Sequence, residues 1–222
     1  MVVLRIDLDR ADTMWLIEKL SLYLETMEGA LRESRQLDRD RIESYAISSC
    51  DDLDDQSEEL HVHDLLFEQA FPSKVRYSFL TLAYSVLEDR TKALADELIK
   101  RKVVVGRTLK KNPDEGHMQS VRRFLPADYG SVNVFPALWE ELFDFSLIRN
   151  CIIHANGKPD DMRKPQRFLD IINKTPGLSL DQGTLNVERR YCQHVVSMME
   201  SFFNTVFEAA GFGPAETVVE SA

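Results

Sequence analysis

"KVRYSFLTLAYSVLEDRTKALADEL" (residues 74–98) is the stretch on which the fold turns. Val75, Phe79, Leu82, Ala83, Val86, Leu87, Leu94 and Leu98 recur at helical spacing and give one apolar side to a helix expected over 74–101. Ser73 is placed to cap it, after Pro72. At 1.5 Å per residue such a helix spans roughly 40 Å, the length of a rod around which a bundle packs. Upstream, residues 11–34 carry Trp15, Leu16, Leu20, Leu22, Tyr23, Leu24, Met27 and Leu31 as a second stripe, with Asp12 or Thr13 as its cap. A further helix is expected near 38–49. "CDDLDDQSEE" (50–59) then reads as an acidic, solvated connection, and "LHVHDLLFEQAF" (60–71) as a short helix ending before Pro72.

Downstream, Gly106, Asn112, Pro113 and Gly116 mark a loop over 102–117. A short helix is expected near 118–125, closed by Pro126 and "ADYGSVNVFP" (127–136). The next helix runs over about 136–156, with Pro136 suited to its first turn and Asn156-Gly157 to its stop. "KPQRFLDIINKTPG" (164–177) is a short amphipathic helix, and "LSLDQGTLNV" (178–187) alternates around Asp181-Gln182-Gly183 as a small hairpin. The last helix, about 188–210, presents Tyr191, Val195, Met198, Met199, Phe202, Phe203 and Phe207 as core rather than as a cofactor box. The expected fold is all-α. It comprises an N-terminal helical extension (1–70) packed on a helical bundle (71–210), a small β-hairpin before the last helix, and a flexible tail (211–222).

The chain has 222 residues, 44% hydrophobic and 29% charged, which suits one large domain or one domain with extensions. No apolar run reaches the length of a membrane span, so no membrane association is expected. Asp7, Asp9 and Asp12 stand where a secretory signal would have its apolar core. Cys50, Cys151 and Cys192 show no CxxC spacing and fit reduced, partly buried thiols, hence a cytoplasmic protein. The net charge is -10, whereas nucleic-acid binders are usually basic. Residues 38–68 carry a balance of -9, and residues 90–125 one of +6. The basic segment, with Lys110, Lys111, Arg122 and Arg123, is either a set of solvated helix ends or a surface for a polyanion.

Most candidate sites fall away. His61 and His63, beside Asp64, point about 200° apart on a helix and cannot chelate one ion there. No HExxH, EF-hand loop, GxSxG elbow, Walker A loop or GxGxxG motif occurs. His117 and His194 are single histidines with structural roles expected.

"SLIRNCIIHANG" (146–157) is different, because it places Arg149, Asn150 and His154 in an apolar helix just before its end. Ile148, Cys151, Ile152 and Ala155 cover the core side. Asn150 and His154 are four apart and share a face, whereas Arg149 and His154 are about 140° apart. Two arrangements would bring Arg149 and His154 onto one anion. The helix could distort near its end, or two chains could meet about a two-fold axis. The chemistry then suits a phosphodiester. Histidine can take a proton from a ribose 2′-hydroxyl or give one to the leaving oxygen. Arginine can grip the phosphate through two parallel hydrogen bonds. No metal or other cofactor is required. Glu88 and Asp89 are either orienting groups for this pair or members of ordinary salt bridges. Two blander readings remain: a non-catalytic dimer that binds a protein or nucleotide, or Arg149 paired with Asp144 or Glu140 and His154 placed against the helix dipole.

"RNCIIH" resembles the R-polar-x-x-x-H motif of the HEPN superfamily, small α-helical bundle domains of prokaryotic toxins, abortive-infection proteins and other RNA-cutting systems. The order of long helix, motif helix, hairpin and closing helix extends the resemblance over about residues 72–210. It implies a metal-independent endoribonuclease that leaves 2′,3′-cyclic phosphate ends. It also implies a homodimer sharing one active site, with phage defence or a toxin–antitoxin system as the setting. By the same resemblance, Arg149 and His154 are the catalytic pair, Asn150 is the modulating polar residue, and an antitoxin or regulatory protein is a possible partner. Some relatives carry a tyrosine two residues after the histidine, modified by a partner nucleotidyltransferase. Here that position is Asn156, which argues against that form of regulation.

Overall fold

The computed structural model describes residues 4–5, 8–48, 53–110, 112, 115–125, 136–163, 165–212 and 216–217. Cys50, Lys111, Pro126 and most of "ADYGSVNVFP" lie outside the described residues. The architecture is an all-α bundle with one small hairpin before the last helix. In chain order the elements are β1 (Leu4–Arg5), α1 (Leu8–Ser48), α2 (Leu53–Asp64), a π-helical stretch (Leu65–Ala70), α3 (Phe71–Lys100), α4 (His117–Phe124), α5 (Pro136–Ala155), a 3-10 turn (Pro159–Asp161), α6 (Pro165–Lys174), β2 (Leu178–Asp181), β3 (Thr184–Val187), α7 (Arg189–Ala209) and β4 (Glu216–Thr217).

Helix α3 is the central rod. It packs on α1, α5 and α7 and touches β3. Phe79, Leu80, Ala83, Leu87 and Leu98 are fully enclosed, against Phe145, Ile148 and Cys151 of α5 and Phe202, Phe203 and Phe207 of α7. Ile17, Leu20 and Leu24 of α1 belong to the same core. The last-helix stripe from Tyr191 to Phe207 is core throughout.

Several local expectations are corrected. The two helices expected over 11–34 and near 38–49 are one uninterrupted helix, Leu8–Ser48, because the polar segment between them breaks the apolar stripe but contains no Gly or Pro to stop the backbone. That helix starts at Leu8, so neither Asp12 nor Thr13 caps it. Trp15, Leu22 and Tyr23 face solvent, and the buried stripe is Thr13, Ile17, Leu20, Leu24 and Glu28. Leu82 of α3 is likewise exposed, while Tyr77, Leu80 and Tyr84 point inward.

The chain does not break at Pro72 either. The amide of Phe71 reaches the carbonyl of Leu66, five residues back, and this wider turn carries the helix through the proline. Proline lacks an amide hydrogen and crowds the preceding turn, so a π-turn is a natural place for it. Ser73 is therefore not a cap, and its hydroxyl donates to Oδ1 of Asn186 at 3.3 Å. At the far end α3 stops as expected, with Lys102 at φ 59° and the amide of Val103 bonded to the carbonyl of Leu98.

Three cross-links fix the helices around α5. Arg76 of α3 grips Glu28 of α1 with two bonds, 2.7 and 3.1 Å, and donates to the carbonyl of Val187 at 3.0 Å. Arg10 donates to the carbonyl of Phe212 at 2.7 Å and to Asn204 at 2.9 Å, closing α1 onto the end of α7. Lys174 of α6 pairs with Asp144 of α5 at 2.7 Å. Residues 216–217 form a short antiparallel ladder with 4–5. No helix among the described residues is long and apolar enough to cross a membrane.

Candidate functional site

Helix α5 carries the Arg-Asn-His set, and its apolar side explains its seat. Ile148, Cys151, Ile152 and Ala155 are buried, as their spacing requires. The helix remains α-helical through Ala155. It then stops abruptly, with Asn156 and Gly157 both at positive φ (49° and 79°). The amide of Gly157 bonds back to the carbonyl of Cys151 at 3.0 Å. The hairpin holds this end in place: the amide of Leu185 donates to the carbonyl of Gly157 at 2.7 Å, and the hydroxyl of Tyr77 donates to the carbonyl of Leu185. The last turn is thus fastened to both α3 and the hairpin.

Arg149 is half-buried. Its guanidinium lies over the ring of Tyr84, 5.1 Å from the centroid. Nη1 donates to Oδ1 of Asn150 at 3.1 Å. Its Nε is buried without an acceptor. Among the described residues no carboxylate pairs with it. Asp144 is taken by Lys174, so the pairing of Arg149 with Asp144 or Glu140 is not what the structure holds. Tyr84 donates to Ser146 at 3.0 Å, since the hydroxyl hydrogen of Ser146 goes to the carbonyl of Leu142, also at 3.0 Å. Burial raises the Tyr84 phenol above its ordinary value; the Ser146 bond lowers it, Glu88 raises it and Arg149 lowers it in turn.

His154 lies one turn beyond Asn150 and is exposed. No hydrogen bond or ion pair joins it to another described side chain. The structure therefore brings Arg149 and Asn150 together and leaves His154 outside their contact. Because the helix does not distort before Ala155, Arg149 and His154 keep their angular separation of about 140°.

The remaining candidates separate clearly. Glu88 is half-buried one turn along α3 from Tyr84, within electrostatic reach of that phenol. Asp89 is exposed and binds its neighbour Arg90. Arg123 is engaged with Glu115 and with the carbonyl of Lys110. Lys110 is exposed, and the Arg122 guanidinium sits 5.7 Å from the Phe143 ring centroid. His63 is buried: Nε2 bonds the carbonyl of Arg35 at 3.0 Å, and the ring stacks on Phe67. His61 is exposed, and among the described residues no three potential metal ligands converge. His117, expected in a polar loop, is buried at the start of α4, with Nε2 2.7 Å from the hydroxyl of Thr91. His194 is exposed on α7, 3.1 Å from Glu141.

A cleft of about 190 Å³ opens beside Asn150, between α4, α5 and α6. Gly116, Met118, Gln119, Phe143, Ser146, Leu147, Asn150 and Arg167 line it. Tyr84, Gln119, Phe143 and Arg167 had no motif to mark them. Ser146 stands four residues before Asn150, so helical spacing alone places it on that face. No family model, no curated protein and no solved structure matches this chain.

Proposed function

We propose that the protein is a metal-independent endoribonuclease, working as a homodimer in which Arg149, Asn150 and His154 of both copies meet at one site. One observation carries this reading. Arg149 is a half-buried cation, pre-set on Tyr84 and Asn150, with no carboxylate among the described residues to neutralise it. A cation held this way is suited to an external phosphate. His154, exposed on the same fastened helix, supplies the proton chemistry: it removes the 2′-hydroxyl proton, the 2′-oxygen attacks phosphorus, and the 5′-oxygen leaves with a proton. The products are a 2′,3′-cyclic phosphate and a free 5′-hydroxyl. The undistorted helix favours a two-chain site, since one chain splays the two residues. Exposed Ile153 beside His154 gives such an interface an apolar contact.

A second reading, a non-catalytic dimeric module for a protein or nucleotide, is favoured by the net charge of -10, which opposes long-range attraction of RNA. An RNA cleavage assay in EDTA separates the two. Wild type is expected to cut and leave cyclic ends, and His154→Ala and Arg149→Ala to be inactive. Co-assembly of the two inactive variants should restore cutting, because a mixed dimer rebuilds one Arg–His pair. Cutting by His154→Ala at the wild-type rate would end the ribonuclease reading, and absence of cutting across RNA pools would favour the binding module.

A further inference from the structure

The cleft beside Asn150 has two unlike halves. Met118, Phe143 and Leu147 give it an apolar wall, and the Arg122 guanidinium stands 5.7 Å from the Phe143 ring. Its volume, about 190 Å³, is below the usual range for a drug-sized ligand and suits one ring system. An aromatic wall backed by an arginine is the kind of surface on which an unstacked base lies.

The polar half has a particular hydrogen-bonding sign. The hydroxyl hydrogen of Ser146 goes to Leu142, and its oxygen accepts from Tyr84. Oδ1 of Asn150 accepts from Arg149 at 3.1 Å. Oε1 of Gln119 accepts from the amide of Gly116 at 3.1 Å. Each of these side-chain carbonyls already accepts one bond, whereas among the described residues nothing accepts from the NH2 of either amide. The side-chain groups of the lining left wholly unused are the amide NH2 of Asn150, the amide NH2 of Gln119 and the guanidinium of Arg167, all of them donors.

We propose that this cleft binds one nucleobase of the RNA strand, next to the phosphate held by Arg149, and that its donors select a carbonyl-bearing base (uracil, cytosine or guanine) over adenine. Each ring nitrogen of adenine accepts a single bond and its amino group is a further donor, so adenine meets fewer of these donors than a base whose carbonyl oxygen accepts two. The inference rests on the ribonuclease reading for its strand and adds the identity of the base. Asn150 links the two functions, since one side of its amide holds Arg149 and the other is left for the base.

The test is a binding measurement on the full chain carrying His154→Ala, so that cutting does not consume the probe. Fluorescence anisotropy with short labelled oligouridylate and oligoadenylate should show roughly tenfold tighter binding of the uridylate, the discrimination one good hydrogen-bond pair supplies. Gln119→Leu, at an exposed position, should bring the two affinities close together without weakening the adenylate. Phe143→Ala should weaken both. Equal affinities in the parent, or a ratio unmoved by Gln119→Leu, would overturn the base assignment even if cleavage still depends on His154. Uridine monophosphate binding as tightly as the oligomer would overturn the strand as occupant. Conversely, a Gln119-dependent uridylate preference in a protein that never cuts RNA would keep the base site and discard the nuclease.

Discussion

Gly157 shows how one residue holds the site in place. Its φ of 79° lies in the left-handed region, and a Cβ added there would overlap the Tyr77 hydroxyl oxygen and sit 2.9 Å from its ring carbon Cζ. The space is closed because Tyr77 must reach the carbonyl of Leu185 just beside it. Gly157→Ala therefore combines backbone strain with overpacking and should cost about 3 kcal/mol. A urea midpoint measured beside wild type checks this; an unchanged midpoint would mean that the close approach is not rigid. Tyr77→Phe added to Gly157→Ala should recover only part of the loss, since the strained φ remains and a hydrogen bond is gone. Arg149 is held in the same way by its neighbours, the Tyr84 ring and the Asn150 carbonyl.

At the scale of elements, the bundle is held by side chains that cross between helices. The Glu28–Arg76 pair is the main case, with Glu28 buried and Arg76 extended to the carbonyl of Val187, so α1, α3 and β3 meet at one guanidinium. Removing one member leaves the other charge uncompensated. Glu28→Ala should cost about 3–5 kcal/mol in a denaturant titration. The double change Glu28→Leu with Arg76→Met should lie closer to wild type than the sum of the single changes, because the unpaired charge is gone. Additive losses would show that the two groups act independently. The π-turn before Pro72 works at this scale too, since it lets α2 run on into α3 without a break.

At the scale of the whole molecule, several weak acids are buried in their protonated form. Burial is the leading cause in each case: it pushes the Cys151 thiol to about 11 and the Cys192 thiol to about 12, and raises the phenols of Tyr77, Tyr84 and Tyr191. A group whose folded pKa is raised favours the folded state below its unfolded pKa and loses that contribution as pH climbs through the folded value. The contribution of these groups to stability should accordingly be level up to pH 9.0, the ordinary thiol value, and then fall as the unfolded chain ionises first. Loss of helical circular dichroism in alkali should coincide with a cooperative rise in tyrosinate absorbance. Gradual tyrosine ionisation while the helices persist would contradict the buried state of these rings. Cys151 and Cys192 should resist thiol reagents at neutral pH for the same reason.

What the sequence determined by itself was local. The helical repeat of α5 placed Ile148, Cys151, Ile152 and Ala155 inward and put Asn150 and His154 on one face, since a 3.6-residue period acts within a single helix. Gln182-Gly183 specified the hairpin turn, because both residues take positive φ there. Asn156-Gly157 specified the stop of α5 for the same reason. The choice between equivalent apolar stripes was not local. Trp15, Leu22 and Tyr23 are as apolar as Ile17 and Leu20, and only the packing of α3 and α7 against α1 decided which set was buried. His63 became a core residue because Arg35, on another helix, offers it a carbonyl. The Tyr84–Arg149 stack and the donor-lined cleft join α3, α4, α5 and α6, and no spacing along the chain encodes such meetings. Tertiary structure decided them, because each depends on which helices share a core and on how closely their faces approach.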